Sequence, residues 1–314
     1  PHLIAGPILH HKEMMPQFSK RETYRFQAEN LSIGGMLFVI GLAKKVLLAD
    51  TLAPVADAAF AMSQPTLADA WLGCLAYSLQ LFFDFAGYSA MAIGLGLMMG
   101  FHLPENFNNP YLARSIQDFW RRWHLSLSSW IRDYLYIPMG GNRLGVWKTY
   151  RNLLLTMGIA TVLIGFLPTY ESVGWLAPLL LVILRLAQGF AIGGEWSGAA
   201  LVATENWNFL LWGLAHGAAL AVARAWGGNG LPALPGWLSR IATLLFVMLA
   251  WTIFRAVDFH AALAMYRGQF GLNGIGLGDS MLYVLRPTHW LAAALGIVCV
   301  ILPAWQPWGS ARPA

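Results

Sequence analysis

Long apolar runs separated by short polar segments dominate this chain. A membrane-spanning helix needs about 20 mostly apolar residues, and runs near that length predict spans or half-spans over residues 31–48, 71–83, 86–101, 152–167, 175–191, 209–225, 238–254 and 290–303. Lys44 and Lys45 interrupt the first run, and Asp84 divides the second from the third. Such breaks are tolerated at membrane depth only where protein or a cavity covers the backbone. The pattern therefore predicts an irregular helical bundle.

Composition supports the same class. The 314 residues are 57% hydrophobic and 11% charged, with a mean hydropathy of +0.54, whereas a soluble domain has about 25% charged residues. These values exclude a soluble globular domain, a disordered chain, a coiled coil and collagen. Cys74 and Cys299 lie in apolar runs, where we expect small buried hydrophobes rather than a disulfide or zinc site. We predict an all-α, polytopic transmembrane helical bundle.

Most of the net charge lies in residues 102–151. This segment has seven Arg and Lys residues and three Asp and Glu residues, which gives a net charge of +4 out of the chain's +5. The positive-inside rule predicts that this segment faces the cytoplasm, although contact with lipid headgroups would use the same charges. We expect its aromatic residues to form an interfacial belt: Trp120, Trp123, Trp130, Tyr134 and Tyr136. Basic and aromatic residues also bind nucleic acid, but we expect no nucleic acid because membrane spans surround the segment.

Candidate chemistry rests on polar residues in apolar surroundings. Phosphate-loop, zinc-protease and nucleophile-elbow motifs are absent from the sequence, and Gly94-x-Gly96 is better explained by helix packing than by dinucleotide binding. Ionisable residues within spans are candidates for function, and Asp84, His124 and His216 are of this kind. A neutral imidazole can accept a proton from a hydroxyl. Each histidine could equally be a hydrogen-bonded packing residue.

The segment containing His124 belongs to an ordered series of motifs. It reads Asp118-Phe-Trp-Arg-Arg-Trp-His-Leu-Ser-Leu-Ser128. The other members are Pro1-His-Leu-Ile-Ala-Gly-Pro7, Asp84-Phe-Ala-Gly-Tyr-Ser89, Glu105-Asn-Phe107, Pro110-Tyr111, Arg132-Asp-Tyr134, Gly140-Gly-Asn-Arg143, Leu211-Trp-Gly213 with His216-Gly217, and Trp251-Thr-Ile-Phe-Arg-Ala256. Over residues 1–157 and 206–270, this series resembles the membrane-bound O-acyltransferase (MBOAT) family, in the branch that serves bacterial alginate O-acetylation.

The resemblance implies a multi-pass enzyme of the bacterial inner membrane with a reaction tunnel. It would move an acetyl group from acetyl-CoA or an equivalent donor, as substrate rather than bound cofactor, to a hydroxyl of an exported polysaccharide. Expected partners are the lipid bilayer, the polysaccharide acceptor and periplasmic polysaccharide acetylation proteins. We expect His216 and His124 as catalytic candidates, and Asp118, Arg122 and Asp84 as substrate-binding candidates. For Arg122 and Asp84, structural support is an equal alternative.

The sequence also departs from the family. It starts late relative to the family, so we expect the first spans to be missing. The segment 158–205 stands where the family has a Trp-His-Gly motif with the expected catalytic histidine, and it resembles a fragment of the metabolite–proton symporters of the major facilitator superfamily. We expect this segment to form an inserted helical hairpin between an MBOAT-like core, 1–157, and MBOAT-like C-terminal helices, 206–314.

Three hypotheses follow. In the first, the chain is an acyltransferase in which His216 replaces the missing base. In the second, it is a catalytically dead chimeric or fragmentary membrane protein. In the third, it is a proton-coupled transporter, but a transporter needs two repeated halves and only one facilitator-like fragment is present. We predict an O-acyltransferase whose activity is impaired by the replaced motif.

Overall fold

The computed structural model describes residues 7–9, 11–138, 140, 143, 208–228 and 234–302. Within these ranges the chain is helical and has no strand, so the predicted all-α fold class is confirmed. The helices are α1 (His11–Phe18), α2 (Ala28–Ala43), α3 (Asp50–Phe60), α4 (Leu67–Met98), α5 (Ile116–Trp120), α6 (Leu125–Ile131), α7 (Asn208–Gly228), α8 (Gly236–Arg255), α9 (Phe259–Gln269), α10 (Asp279–Val284) and α11 (Pro287–Ile301). The predicted spans at 152–167 and 175–191 and the predicted hairpin at 158–205 lie outside the described residues.

Within the part of the chain that the structure describes, three helical stretches are long and apolar enough to cross a bilayer: Ala28–Phe60, Leu67–Met98 and Gly236–Arg255. In the first of these, only 17% of the most apolar window is buried. Such an exposed apolar surface suits contact with lipid or with further helices. Helix α11 is shorter but also apolar. The described part of the chain is therefore a membrane helical bundle.

The charges predicted to break the spans do not break them. A π-helical turn over Lys44–Ala49 joins α2 to α3, and α4 runs through Asp84 without interruption. Lys45 Nζ lies 2.7 Å from Asp84 Oδ1 and 2.6 Å from Asp50 Oδ1. Opposite charges on adjacent helices offset each other's cost in an apolar environment, so the helices need not end there.

Glycines allow α2 and α4 to pack with their backbones in contact. A Cβ on Gly34 would lie 2.6 Å from the carbonyl oxygen of Gly94, and a Cβ on Gly41 would lie 2.5 Å from that of Gly87. Small residues at membrane helix interfaces permit such close approach. The prediction that Gly94 serves helix packing is confirmed.

Residues 101–124 return alongside α4 as mostly irregular backbone that contains the short helix α5. A positive φ of 83° at Gly100 follows the end of α4, and the hydroxyl of Tyr111 then donates to the carbonyl of Ser78, 2.6 Å away. Trp123 is 5% exposed and packs on Trp251 at a centroid distance of 5.3 Å. This part of the basic segment therefore folds into the core, and Trp123 is covered by protein; its position at a membrane interface stays a prediction. Cys74 is buried as expected, whereas Cys299 is exposed.

Candidate active site

A short local structure places His124 in the interior. Ser115 caps α5 by accepting a hydrogen bond from the backbone N–H of Asp118, and His124 itself precedes α6 with φ 47° and ψ 59°. A residue other than glycine in this left-handed region costs about 1–3 kcal/mol and is typical of functional sites. The backbone N–H of Leu125 donates to the carbonyl of Asn106 at 2.9 Å, which holds this conformation.

The His124 side chain belongs to a buried polar network. Its Nδ1 lies 2.9 Å from Asn106 Oδ1. The same oxygen accepts from the hydroxyl of Ser126 at 2.8 Å, while Asn106 Nδ2 donates to Ser89 Oγ at 3.1 Å. All four side chains are at most 4% exposed. The backbone N–H of Ile8 donates to Ser126 Oγ at 2.9 Å, so the network ties the start of the described chain to α4 and α6.

His216 has a different environment. It is fully buried on α7, between the rings of Trp212, Trp120 and Phe246 at centroid distances of 4.7, 5.3 and 5.3 Å. Neither of its ring nitrogens has a hydrogen-bond partner in the part of the chain that the structure describes. His216 is therefore packed among aromatic rings, with no polar partner to orient it in the described part of the chain.

The two histidines share one aromatic cluster. The ring of Phe85 meets His124 edge-on at 4.9 Å and lies 6.4 Å from Trp123. Trp251 continues the cluster from Trp123, and it stacks at 6.0 Å on Trp212, which contacts His216. These packed rings provide apolar surroundings of low dielectric. Electrostatic interactions with a charged reaction intermediate would be stronger there than in water.

Asp118 and Arg122 form an ion pair one turn apart at the edge of the same segment. Arg122 Nε lies 2.8 Å from Asp118 Oδ1, and the backbone N–H of Arg114 donates to Asp118 Oδ2 at 3.0 Å. Burial opposes ionisation of Asp118, but the hydrogen bonds from Arg122 and Arg114 and the charges of Arg122 and Arg121 outweigh it. They hold the pKa of Asp118 below its usual value. The side chains are about one-third exposed, at 29% for Asp118 and 33% for Arg122.

The structure therefore separates the predicted site residues into three places. Asp118 and Arg122 lie together, near His124 in the chain; His216 lies across the aromatic cluster; and Asp84 lies with Lys45 on the α2–α4 pair. Within the described ranges, no three His, Cys, Asp or Glu side chains are arranged to hold a metal ion. The His124 network holds an imidazole in a defined orientation.

Sequence reasoning missed three members of that network: Asn106, Ser89 and Ser126. All three lie inside the quoted motifs, as Glu105-Asn-Phe107, Asp84-Phe-Ala-Gly-Tyr-Ser89 and the segment after His124. Polar residues at the ends of apolar runs are common, so their type alone did not distinguish them. Their occurrence in the same ordered series of motifs as the histidine was the available signal.

Comparison with known proteins places the chain. Residues 1–192 match the model of the membrane-bound O-acyltransferase family. The chain is 45% identical to the probable alginate O-acetylase AlgI of Pseudomonas aeruginosa over 87% of its own length and 44% of that protein. It is 42% identical to the peptidoglycan O-acetyltransferase of Helicobacter pylori over 88% of its length and 46% of that protein. A teichoic acid D-alanyltransferase of Bacillus subtilis is 37% identical over 44% of the chain and 35% of that protein.

Two facts qualify these matches. The chain spans less than half the length of each of these relatives. The family match continues to residue 192 and so includes most of the segment 158–205, whose proposed origin in a transporter remains a prediction. The extent of the family match and the identities to these relatives nevertheless agree with the helical architecture and the sequence motifs. The chain belongs to the membrane-bound O-acyltransferase family.

Proposed function

We propose that this protein transfers an acetyl group from acetyl-CoA or an equivalent acyl donor to a hydroxyl group of an exported, alginate-type polysaccharide. Membership of the family supports acyl transfer, and two relatives are named for acetylation of alginate and of peptidoglycan. The observation that supports the proposal best within the chain is the buried His124 imidazole, hydrogen-bonded through Nδ1 to Asn106.

In the proposed reaction, the oxygen of the acceptor hydroxyl attacks the acyl carbonyl carbon. A histidine accepts the proton of that hydroxyl at the same time. The bond from the carbonyl carbon to the donor's leaving group then breaks, and the leaving group receives the proton. The contacts favour His124 as this base, since its ring is oriented by a polar partner. His216 is the second candidate because its ring is buried beside the same aromatic cluster. Asp118 and Arg122 would bind substrate at the partly exposed edge, and Asp84 would support the helix pair.

The proposal includes the setting of the enzyme. We infer a multi-pass protein of the bacterial inner membrane that works together with periplasmic polysaccharide acetylation proteins. The replaced Trp-His-Gly motif leads us to expect weaker transfer than in relatives that retain it. The competing hypothesis is a catalytically dead chain, and a single assay separates the two.

The test is acetyl transfer by the full chain in a bacterium whose own alginate acetylase has been deleted. Ester-linked acetate on the exported alginate is the readout, and immunoblots of membranes establish equal protein levels. We expect His124→Ala to reduce the signal by about 10²-fold or more, the usual contribution of a general base. His260→Ala is the matched control, since His260 is exposed on α9.

The outcomes assign the roles. Loss of acetylation in His124→Ala with retention in His216→Ala supports His124 as the base, and the reverse result transfers the role to His216. Equal acetylation in wild type and both variants refutes a histidine base in this chain. No acetylation by correctly inserted wild-type protein would establish the dead-chain hypothesis.

A further inference from the structure

A polar cavity of about 410 Å³ lies where α1, the start of α2 and the end of α4 meet. Among its lining residues Thr23 and Asn30 are buried, whereas Lys20 and Glu22 are exposed. Helix α2 begins one of the stretches that are long and apolar enough to cross a bilayer. The cavity therefore lies at the end of a membrane span, at the level where lipid headgroups are expected.

Contacts among three segments form this cavity without a ligand. The side chain of Gln17 on α1 donates through Nε2 to the carbonyl of His102 at 3.0 Å, and its Oε1 accepts from the N–H of His102 at 2.8 Å. The hydroxyl of Thr23 donates to the carbonyl of Gln17 at 2.7 Å. A Cβ at Gly100, where φ is 83°, would overlap the carbonyl oxygen of Thr23. The chain before α2 is therefore packed directly on the end of α4.

Polar groups without partners face this cavity from α2. Asn30 lines it and is 8% exposed, and its amide has no hydrogen-bond partner among the described residues. Buried polar side chains are normally hydrogen-bonded, so a ligand in the cavity would supply the missing partner. Gln27, at the N-cap of α2, makes no side-chain capping bond. The first N–H groups of a helix attract phosphate, and both features favour a ligand with anionic acceptor oxygens.

The rim of the cavity has two opposite charges. Neither Lys20 nor Glu22 forms an ion pair with another described residue. A lysine ammonium binds phosphate oxygens, and a carboxylate binds an ammonium group. A ligand that has a phosphate beside an ammonium group would match both charges and the Asn30 amide. Phosphoethanolamine has this chemistry, whereas the glycerol headgroup of phosphatidylglycerol has no cation for Glu22.

Exposed aromatic rings near the cavity favour a lipid over a soluble ligand. Tyr24 and Phe26 are exposed, and Phe18 packs on Phe101 at a centroid distance of 4.9 Å. Aromatic residues next to cations at the end of a span are typical of the membrane interface. Acyl chains attached to a headgroup in the cavity would meet the span that begins with α2, where only 17% of the most apolar window is buried.

We propose that this cavity binds the phosphoethanolamine headgroup of a membrane phospholipid. The phosphate binds Lys20, Asn30 and the start of α2, and the ammonium group binds Glu22. The bound headgroup joins α1, α2 and the end of α4 at the membrane surface. This site is independent of the proposed acyl transfer, because no residue of the His124 network or of the aromatic cluster lines the cavity.

Native mass spectrometry of the full chain, released from nanodiscs with equal amounts of phosphatidylethanolamine and phosphatidylglycerol, tests the proposal. Wild type should retain phosphatidylethanolamine in preference to phosphatidylglycerol. Lys20→Ala should lower the affinity for both lipids about tenfold, since it removes a charged hydrogen bond to phosphate. Glu22→Gln should reduce the preference for phosphatidylethanolamine about threefold. Asn30→Asp keeps the side-chain shape but puts a carboxylate against the phosphate, so retention should fall about tenfold.

Lys12→Ala and Glu13→Gln are the matched controls, because both residues are exposed on α1 and neither lines the cavity. They should retain lipid as wild type does, and circular dichroism establishes equal helix content in all variants. Equal retention of the two lipids by wild type, or wild-type retention by Asn30→Asp, would overturn the proposal.

Glycerophosphoethanolamine distinguishes a lipid from a soluble ligand, since it has the same headgroup without acyl chains. We expect it to leave the retained phospholipid in place when it is added at the concentration of that lipid. Displacement of the phospholipid at that concentration would overturn the assignment of the cavity to a lipid.

Discussion

Two adjacent glycines of α2, Gly34 and Gly35, can each be replaced by alanine to test the helix packing directly. A Cβ at position 34 would lie 2.6 Å from the Gly94 carbonyl oxygen, 2.7 Å from Met98 Cγ and 3.0 Å from Met98 N. At position 35, no atom lies within 4 Å of the added carbon. Gly34→Ala and Gly35→Ala therefore make the same chemical change on the same helix. Only the carbon added at position 34 contacts atoms of α4.

The expected magnitude follows from two opposing terms. Replacing glycine by alanine inside a helix stabilises it by about 1 kcal/mol, and both variants share this gain. Inserting a carbon into a filled interface costs about 1–3 kcal/mol, and only Gly34→Ala has this cost. Carbon and oxygen normally approach no closer than about 3.3 Å, so α2 and α4 must separate. Gly34→Ala should accordingly be less stable than Gly35→Ala by about 1–3 kcal/mol.

Unfolding in mixed micelles with increasing sodium dodecyl sulfate measures this difference, with helix content followed by circular dichroism. Gly87→Ala provides a second test, because its Cβ would lie 2.6 Å from the Gly41 carbonyl oxygen. If Gly34→Ala matched Gly35→Ala within about 0.5 kcal/mol, the range of ordinary surface substitutions, the backbone contact between α2 and α4 would be refuted.

Two further predictions concern charged side chains. Because the pKa of Asp118 is below its unfolded value of about 3.9, its interactions stabilise the fold above that pH and are lost as pH falls through the folded pKa. Thermal unfolding of wild type and Asp118→Asn should be measured from pH 3 to 7. We expect wild type to be the more stable protein, by a margin that shrinks below about pH 4. A difference in stability that is constant over this pH range would contradict the ion pair with Arg122. Arg255 lies over the rings of Phe60 and Tyr77, at 5.8 and 5.6 Å. Arg255→Lys should cost about 0.5–1 kcal/mol in the micelle assay, and unchanged stability would show that the planar guanidinium is unimportant.

Apolar run length predicted the helices well, but charge predicted their ends poorly. The runs near 209–225 and 238–254 correspond to α7 and α8, since backbone in lipid must satisfy its hydrogen bonds within a helix. The supposed break at Asp84 was wrong because the partner that offsets its charge, Lys45, lies on another helix. Pairing between helices is a tertiary property that no window of sequence contains.

For the site, the sequence identified the histidines but not their environments. His124 and His216 were both candidates by residue type, His124 in the basic segment and His216 in the middle of an apolar run. The fold gives one a polar network and leaves the other among aromatic rings. Asn106 stood inside a quoted motif without a role, because its function depends on irregular backbone that returns alongside α4.

The sequence by itself determined the membrane-protein class, the helical architecture and the family, because hydropathy and motif order are properties of consecutive residues. Only the tertiary structure decided that Lys45 pairs with Asp84 on the neighbouring helix and that Nδ1 of His124 lies beside Oδ1 of Asn106. Each of those outcomes depends on distances of about 3 Å between atoms on separate segments. Hydrogen bonds act only at such distances, so folding must bring Ser89, Asn106 and Ser126 together before the histidine acquires its orientation.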